Sequence, residues 1–140
     1  MKQAKESGRF RRKATAFRRC IIGLCESKVF VLEKEEMSEE LVNGILTLMQ
    51  GQVMSIILYG SVARGTDTPE SDIDIALIIR GLMDDETEME LSRFTTDMNL
   101  KYDKVFSIID IEEDFFLKWK RAMPFCRNVE EEGIVLWKAA

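Results

Sequence analysis

The chain has 140 residues, 46% of them hydrophobic and 32% charged, with a formal net charge of −5 at pH 7 and no histidine. That length suits one domain with its own core, and the missing imidazole excludes serine and cysteine hydrolase triads and histidine-ligated zinc. No apolar run approaches the ~18 residues of a membrane span and no signal-type stretch leads the chain, so the expected location is the cytoplasm.

Charge is unevenly spread. Met1 to Glu36 carries ten Lys/Arg against five Asp/Glu, whereas Met37 to Ala140 carries ten against twenty. This asymmetry divides the chain into a basic N-terminal extension, residues 1–36, and an acidic folded domain, residues 37–140. Within the extension, Thr15 to Leu24 has the pattern of a short amphipathic helix. Its clustered Arg and Lys would attract phosphates if the segment were an arm, and would simply be solvated if it were not. Cys20, Cys25 and Cys126 are odd in number and form no CxxC pair, which points to reduced thiols and neither a disulfide framework nor a zinc site.

Ser38 is placed to cap a helix whose apolar residues Leu41, Ile45, Leu48 and Met49 share one face, with an end near Gly51. "VMSIILYG" then reads as a buried strand ending at Gly60. "SVARG" winds into a short helix, and "TDTPES" forms a loop, because Pro69 biases Thr68 away from the helical region. A second strand covers Ile73 to Ile79. A helix from about Asp85 to Leu100 places Leu91, Phe94 and Met98 on one face. "KVFSIIDI", Lys104 to Ile111, is a third strand. It is followed by an amphipathic helix carrying Phe115, Phe116, Trp119 and Met123 and stopped by Pro124. A last helix over Arg127 to Glu132 ends at Gly133, and "IVLW" makes a terminal strand or docking segment. The expected fold is therefore α/β (α+β), a small mixed β-sheet flanked by helices.

The chemistry concentrates between Gly60 and Asp74. Asp72 and Asp74 are two apart at a strand start, so both carboxylates point to one face and repel each other unless a cation intervenes. Mg²⁺ suits such a pair, because it takes one or two protein carboxylates and fills its shell with phosphates and water. Gly60 and Ser61 stand at a strand-to-helix turn, where backbone N–H groups and a hydroxyl can hold phosphate oxygens. Arg64 lies one turn further on, where its guanidinium can steady a phosphate or fix the acidic loop. These parts describe a site for a metal-bound triphosphate.

"GSVARGTDTPESDID" resembles the signature of the DNA polymerase beta-like nucleotidyltransferases: Gly-Ser, ten residues, then Asp-x-Asp. From Met37 to the "PFCRNVEEEGIVLW" ending, the chain is similar to the minimal nucleotidyltransferase group. The resemblance implies that Gly60 and Ser61 contact nucleotide phosphates and that Asp72 and Asp74 bind catalytic Mg²⁺. It also implies transfer of a nucleoside monophosphate, AMP in particular, from an NTP such as ATP to a hydroxyl, with pyrophosphate leaving.

Minimal members pair with helical HEPN proteins as toxin and antitoxin, and adenylylate a toxin tyrosine. A chain without histidine cannot be the HEPN nuclease, so the resemblance assigns it the antitoxin half. The family's third carboxylate, on a later strand, falls at Ser107, flanked by Asp103 and Asp110. That departure favours one alternative to the transferase, an antitoxin that acts by steric contact over a weak nucleotide site; similarity to larger family members offers another, a small-molecule transferase of the aminoglycoside type. In the latter, a homodimer would supply the missing acceptor wall. The acidic core shows no basic surface for a nucleic-acid duplex.

Overall fold

The computed structural model describes residues 28–140, with side chains from Glu35 onward; the helix expected over Thr15 to Leu24, together with Cys20 and Cys25, lies outside the described residues. Along the chain run α1 (Lys28–Leu48), β1 (Val53–Tyr59), α2 (Gly60–Arg64), β2 (Ile73–Ile79), α3 (Asp85–Tyr102), β3 (Phe106–Glu112), α4 (Glu113–Trp119), α5 (Pro124–Glu132) and β4 (Ile134–Lys138). The strands form one mixed sheet in the order β3-β2-β1-β4. β1 is antiparallel to both β2 and β4, and β2 is parallel to β3. The expected mixed sheet with flanking helices is the fold observed.

Alternation along the strands sends successive side chains to opposite faces, and each face has its own core. On one face Ile56, Leu58, Ile75, Leu77 and Ile79 pack under α1 and α3, which contribute Leu41, Val42, Ile45, Leu91 and Met98. On the other, Ile57, Ala76, Ile78 and Ile111 pack under α4 and α5 through Phe116, Cys126 and Val129. The helices on the first face are long, 21 and 18 residues. Those on the second are short, 7 and 9 residues.

Several boundaries differ from the sequence expectation. α1 begins ten residues before Ser38 and runs unbroken through positions 36 and 37. Ser38 is therefore not an N-cap: it is buried inside the helix, and its Oγ donates to the Glu35 carbonyl at 3.0 Å. Backward hydrogen bonds of this kind let serine sit within a helix, so a serine before an apolar face need not mark its start. α3 extends to Tyr102, with Asp103 as its C-cap in the left-handed conformation (φ 49°, ψ 45°). β3 consequently begins at Phe106 and not at Lys104. Pro124, expected as a stop, stands at the start of α5, where its missing N–H costs nothing. Of the apolar face assigned to α4, Phe116 is buried while Phe115, Trp119 and Met123 remain exposed by 43%, 37% and 37%.

Candidate active site

The site forms where β1 ends and β2 begins. In the antiparallel register Tyr59 lies opposite Asp74, and in the parallel register Asp74 lies opposite Ser107. Directly opposed residues share a face, so Tyr59, Asp74 and Ser107 line up across three strands on the α4/α5 side. Beyond them on that face, Ala76 and Ile78 are already covered by the second core. The row at the strand ends is only partly covered.

Gly60 opens α2 with φ +76°, and a Cβ built there would overlap the Asp74 Oδ2 atom. Two constraints thus converge on glycine: a positive φ that β-carbon-bearing residues disfavour, and a carboxylate lodged against the turn. The first N–H groups of any α-helix lack partners within it. Here Tyr59, at the N-cap position, contributes no side-chain hydrogen bond to them. Gly65 ends the turn in the left-handed conformation, and the Thr66 N–H donates to the Ser61 carbonyl at 3.0 Å.

The loop that carries Asp72 is braced at both ends. The Thr68 N–H donates to Ser71 Oγ at 2.8 Å and the Ser71 N–H donates back to the Thr68 carbonyl at 3.0 Å. Lys104 Nζ donates to the Pro69 carbonyl at 2.9 Å, tying the loop to the approach of β3. The Ile73 N–H, donating to the Val105 carbonyl at 2.8 Å, starts the parallel ladder. Asp72 is exposed and Asp74 half-buried.

Burial first, and then the charge of Asp72, push the Asp74 carboxyl above its ordinary value, while Arg64 pulls it partly back. Burial and the Asp74 charge likewise raise the Tyr59 phenol. The Tyr59 ring meets Phe125 of α5 edge-on, with centroids 5.4 Å apart. Arg64 Nη1 donates to Glu132 Oε2, at the end of the same helix, at 3.3 Å.

The five residues singled out from the sequence are thus distributed around one turn. Gly60 touches Asp74, Ser61 follows in α2, Asp72 shares the edge of β2, and Arg64 acts electrostatically on Asp74. Neither acidic neighbour of Ser107 completes a third ligand. Asp103 is a helix cap and not part of β3, and Asp110 lies opposite Leu77, which packs on the other face. Among the described residues no group of three or more metal-ligating side chains gathers anywhere. What the site offers a cation is a pair of carboxylates, a donor set that fits a hard ion completing its shell with phosphate and water. Tyr59, Phe125 and Glu132 escaped the sequence reading. Tyr59 was legible as the residue facing the Asp pair once β1 and β2 are paired, but Glu132, 68 positions from Arg64, gave no local signal.

This arrangement sets a strand-end Gly-Ser turn against an Asp-x-Asp strand. The profile of the family described as Polymerase beta, Nucleotidyltransferase matches residues 43–140, and the chain belongs to that family. A Methanocaldococcus jannaschii protein named as a candidate protein adenylyltransferase is 40% identical over 106 residues, 76% of this chain and 100% of that one. A second protein of that organism, with the same description, is 28% identical over 78 residues, 56% of this chain and 79% of that one.

Among solved structures, a toxin–antitoxin with AMP-PNP superimposes with a TM-score of 0.52 at 21% identity, covering 73% of each chain. A nucleotidyltransferase-type structure from Sulfolobus solfataricus gives 0.51 at 20% identity, covering 81% of this chain and 90% of that one. These two likenesses show the shared fold. No helix among the described residues is long and apolar enough to cross a membrane.

Proposed function

We propose that this nucleotidyltransferase is a Mg²⁺-dependent adenylyltransferase that moves AMP from ATP to a hydroxyl of a protein partner, a HEPN toxin, within residues 37–140. The observation that carries the reading is the seat of Asp74 against Gly60. The turn that would receive phosphates and the carboxylate that would hold their metal are in contact, and a β-carbon would separate them. Asp72 and Asp74 would bind Mg²⁺, which when bound neutralises triphosphate charge and stabilises the departing pyrophosphate. The Gly60 and Ser61 backbone and the Ser61 hydroxyl would hold phosphate oxygens, and Arg64 would add a fixed positive charge at the same mouth. The acceptor oxygen bonds to the α-phosphorus as the α–β bridging bond breaks. Pyrophosphate leaves with the bridging oxygen, and the hydroxyl proton goes to solvent.

The proton's fate bears on the acceptor. With Ser107 opposite Asp74, β3 supplies no carboxylate base at that place. An acceptor that gives up its proton readily then has the advantage. A tyrosine phenol, with an ordinary pKa near ~10, is far more acidic than an aliphatic hydroxyl. Support for a protein acceptor comes from the description of the 40%-identical relative, and for a toxin from the toxin–antitoxin neighbour.

Labelled ATP, Mg²⁺ and a co-expressed HEPN partner, followed by mass spectrometry of both chains, test the proposal. Wild type should add one AMP to a partner tyrosine. Asp72→Asn should lower transfer by about a hundredfold or more, the scale of losing a principal electrostatic stabiliser. Full transfer by Asp72→Asn would refute the metal assignment.

The Ser107 position favours one rival, an antitoxin that neutralises by contact alone. In that case replacing Asp72 and Asp74 together would leave neutralisation intact in cells; the transferase reading expects it to be lost.

A further inference from the structure

Arg64 approaches the site from the last turn of α2 and is held from outside the Gly-Ser to Asp-x-Asp segment. Its Nη1 donates to Glu132 Oε2 at 3.3 Å, a single contact that uses one of the guanidinium's five N–H donors. The remaining donors stay available to another partner, and Arg64 stands in the same helix as Gly60 and Ser61. Glu132 in turn belongs to a helix packed against the site. Phe125 meets Tyr59 edge-on, Cys126 and Val129 are buried in the second core, and Gly133 fits where a Cβ would overlap the Val129 carbonyl and Ile57. α5 therefore brings a carboxylate to a fixed place beside α2.

Both side chains of the pair are substantially exposed, at 49% and 44%. Pairs of that kind contribute little to stability. Their capacity to restrict a long side chain is a separate matter, because an unrestrained arginine loses rotamer freedom whenever it engages a ligand.

We infer that Glu132 is a positioning residue: from the end of α5 it holds the Arg64 guanidinium at the mouth of the Gly60–Ser61 turn, ready for the phosphates of a nucleoside triphosphate. This rests on the nucleotide reading above. The pair also links a C-terminal helix to the nucleotide turn, so displacement of α5 would weaken phosphate binding without touching Asp72 or Asp74.

The test combines Mg²⁺–ATP binding by calorimetry on wild type, Glu132→Ala, Glu132→Gln, Arg64→Ala and the double variant with NMR of the Arg64 side-chain Nε–H. Glu132→Ala should weaken binding roughly 3- to 5-fold, the upper range for an exposed pair. It should leave Tm within about 2 °C and free the Arg64 side chain on the NMR timescale. Glu132→Gln, which keeps an acceptor oxygen, should recover part of the affinity. In the Arg64→Ala background, Glu132→Ala should have no further effect. Unchanged binding in Glu132→Ala beside a wild type that binds Mg²⁺–ATP, or additive losses in the double variant, would overturn the positioning role and leave the nucleotide reading standing. A wild type that binds no Mg²⁺–NTP would overturn that reading and this inference with it.

Discussion

At Ser107 a single side chain changes what the site can do. Its backbone is in register with Asp74 across a parallel pair, so a carboxylate there would join Asp72 and Asp74 on one face. Serine leaves an oxygen without a charge. The Ser107→Asp variant should therefore crowd three carboxylates together and lower the Tm of the metal-free protein, since like charges brought together without a cation are costly. Added Mn²⁺ should then raise Tm more in the variant than in wild type, because stabilisation by a ligand grows with its affinity for the folded state. Thermal melts with and without Mn²⁺ read both effects, and an equal Mn²⁺ shift in the two proteins would show that position 107 does not reach the metal. The juxtaposition that makes up the candidate site was legible in the sequence. Gly60, Ser61, Asp72 and Asp74 all lie on the two ends of one hairpin-like connection, whose spacing fixes their meeting. Glu132 was not legible, because its proximity to Arg64 exists only after α5 has packed.

Among the elements, those with clear punctuation were easiest to read. β2 was expected over Ile73 to Ile79 and occupies those residues, since "TPES" and Arg80-Gly81 bound an unbroken apolar run. α1 was harder, because β-branched Val29 and Val31 precede an acidic stretch and Ser38 imitates a cap. The helix nonetheless runs past both signals. α1 is tied to α3 by a small polar cluster: Lys101 Nζ donates to Glu40 Oε2 at 2.7 Å and the Tyr102 hydroxyl donates to the same oxygen. The hydrogen bond from Lys101, followed by that from Tyr102, holds the Glu40 carboxyl below its ordinary value of 4.5. A depressed folded-state value means that the unfolded chain takes up the proton first. The contribution is then complete above about pH 4.5 and is lost as the pH falls below that through the folded value. Glu40→Gln should consequently lower Tm by about 2 °C near neutrality, a modest loss in keeping with the cluster's exposure. The difference from wild type should shrink as melts are taken below pH 4.5. A gap that persists undiminished at pH 3 would assign the effect to packing and not to charge.

Across the whole molecule, the two faces of the sheet are unequally covered. α1 and α3 clamp one face with long helices, while the face that carries Asp74 is closed by α4 and α5, which are short and leave Phe115 and Trp119 largely outside the core. Regions with fewer buried apolar contacts open below the global unfolding free energy. The α4/α5 layer should therefore open while the β1–β2–β3 sheet stays on α1 and α3. Cys126 reports this directly: it is 1% exposed and its thiol is pushed up by burial, so alkylation must await opening. Phe116, 6% exposed in the same cluster, and Ile45, 0% exposed in the opposite one, provide the contrast. Large-to-small replacement in a core costs ~2–5 kcal/mol in either place. If the thin layer opens alone, Phe116→Ala should speed Cys126 alkylation about a hundredfold or more, whereas Ile45→Ala should leave it nearly unchanged despite a comparable fall in Tm. Peptide mass spectrometry, following Cys126 separately from Cys20 and Cys25, gives the rates. Equal acceleration by both variants would show instead that the faces unfold together, and that α5 cannot release Arg64 without losing the fold.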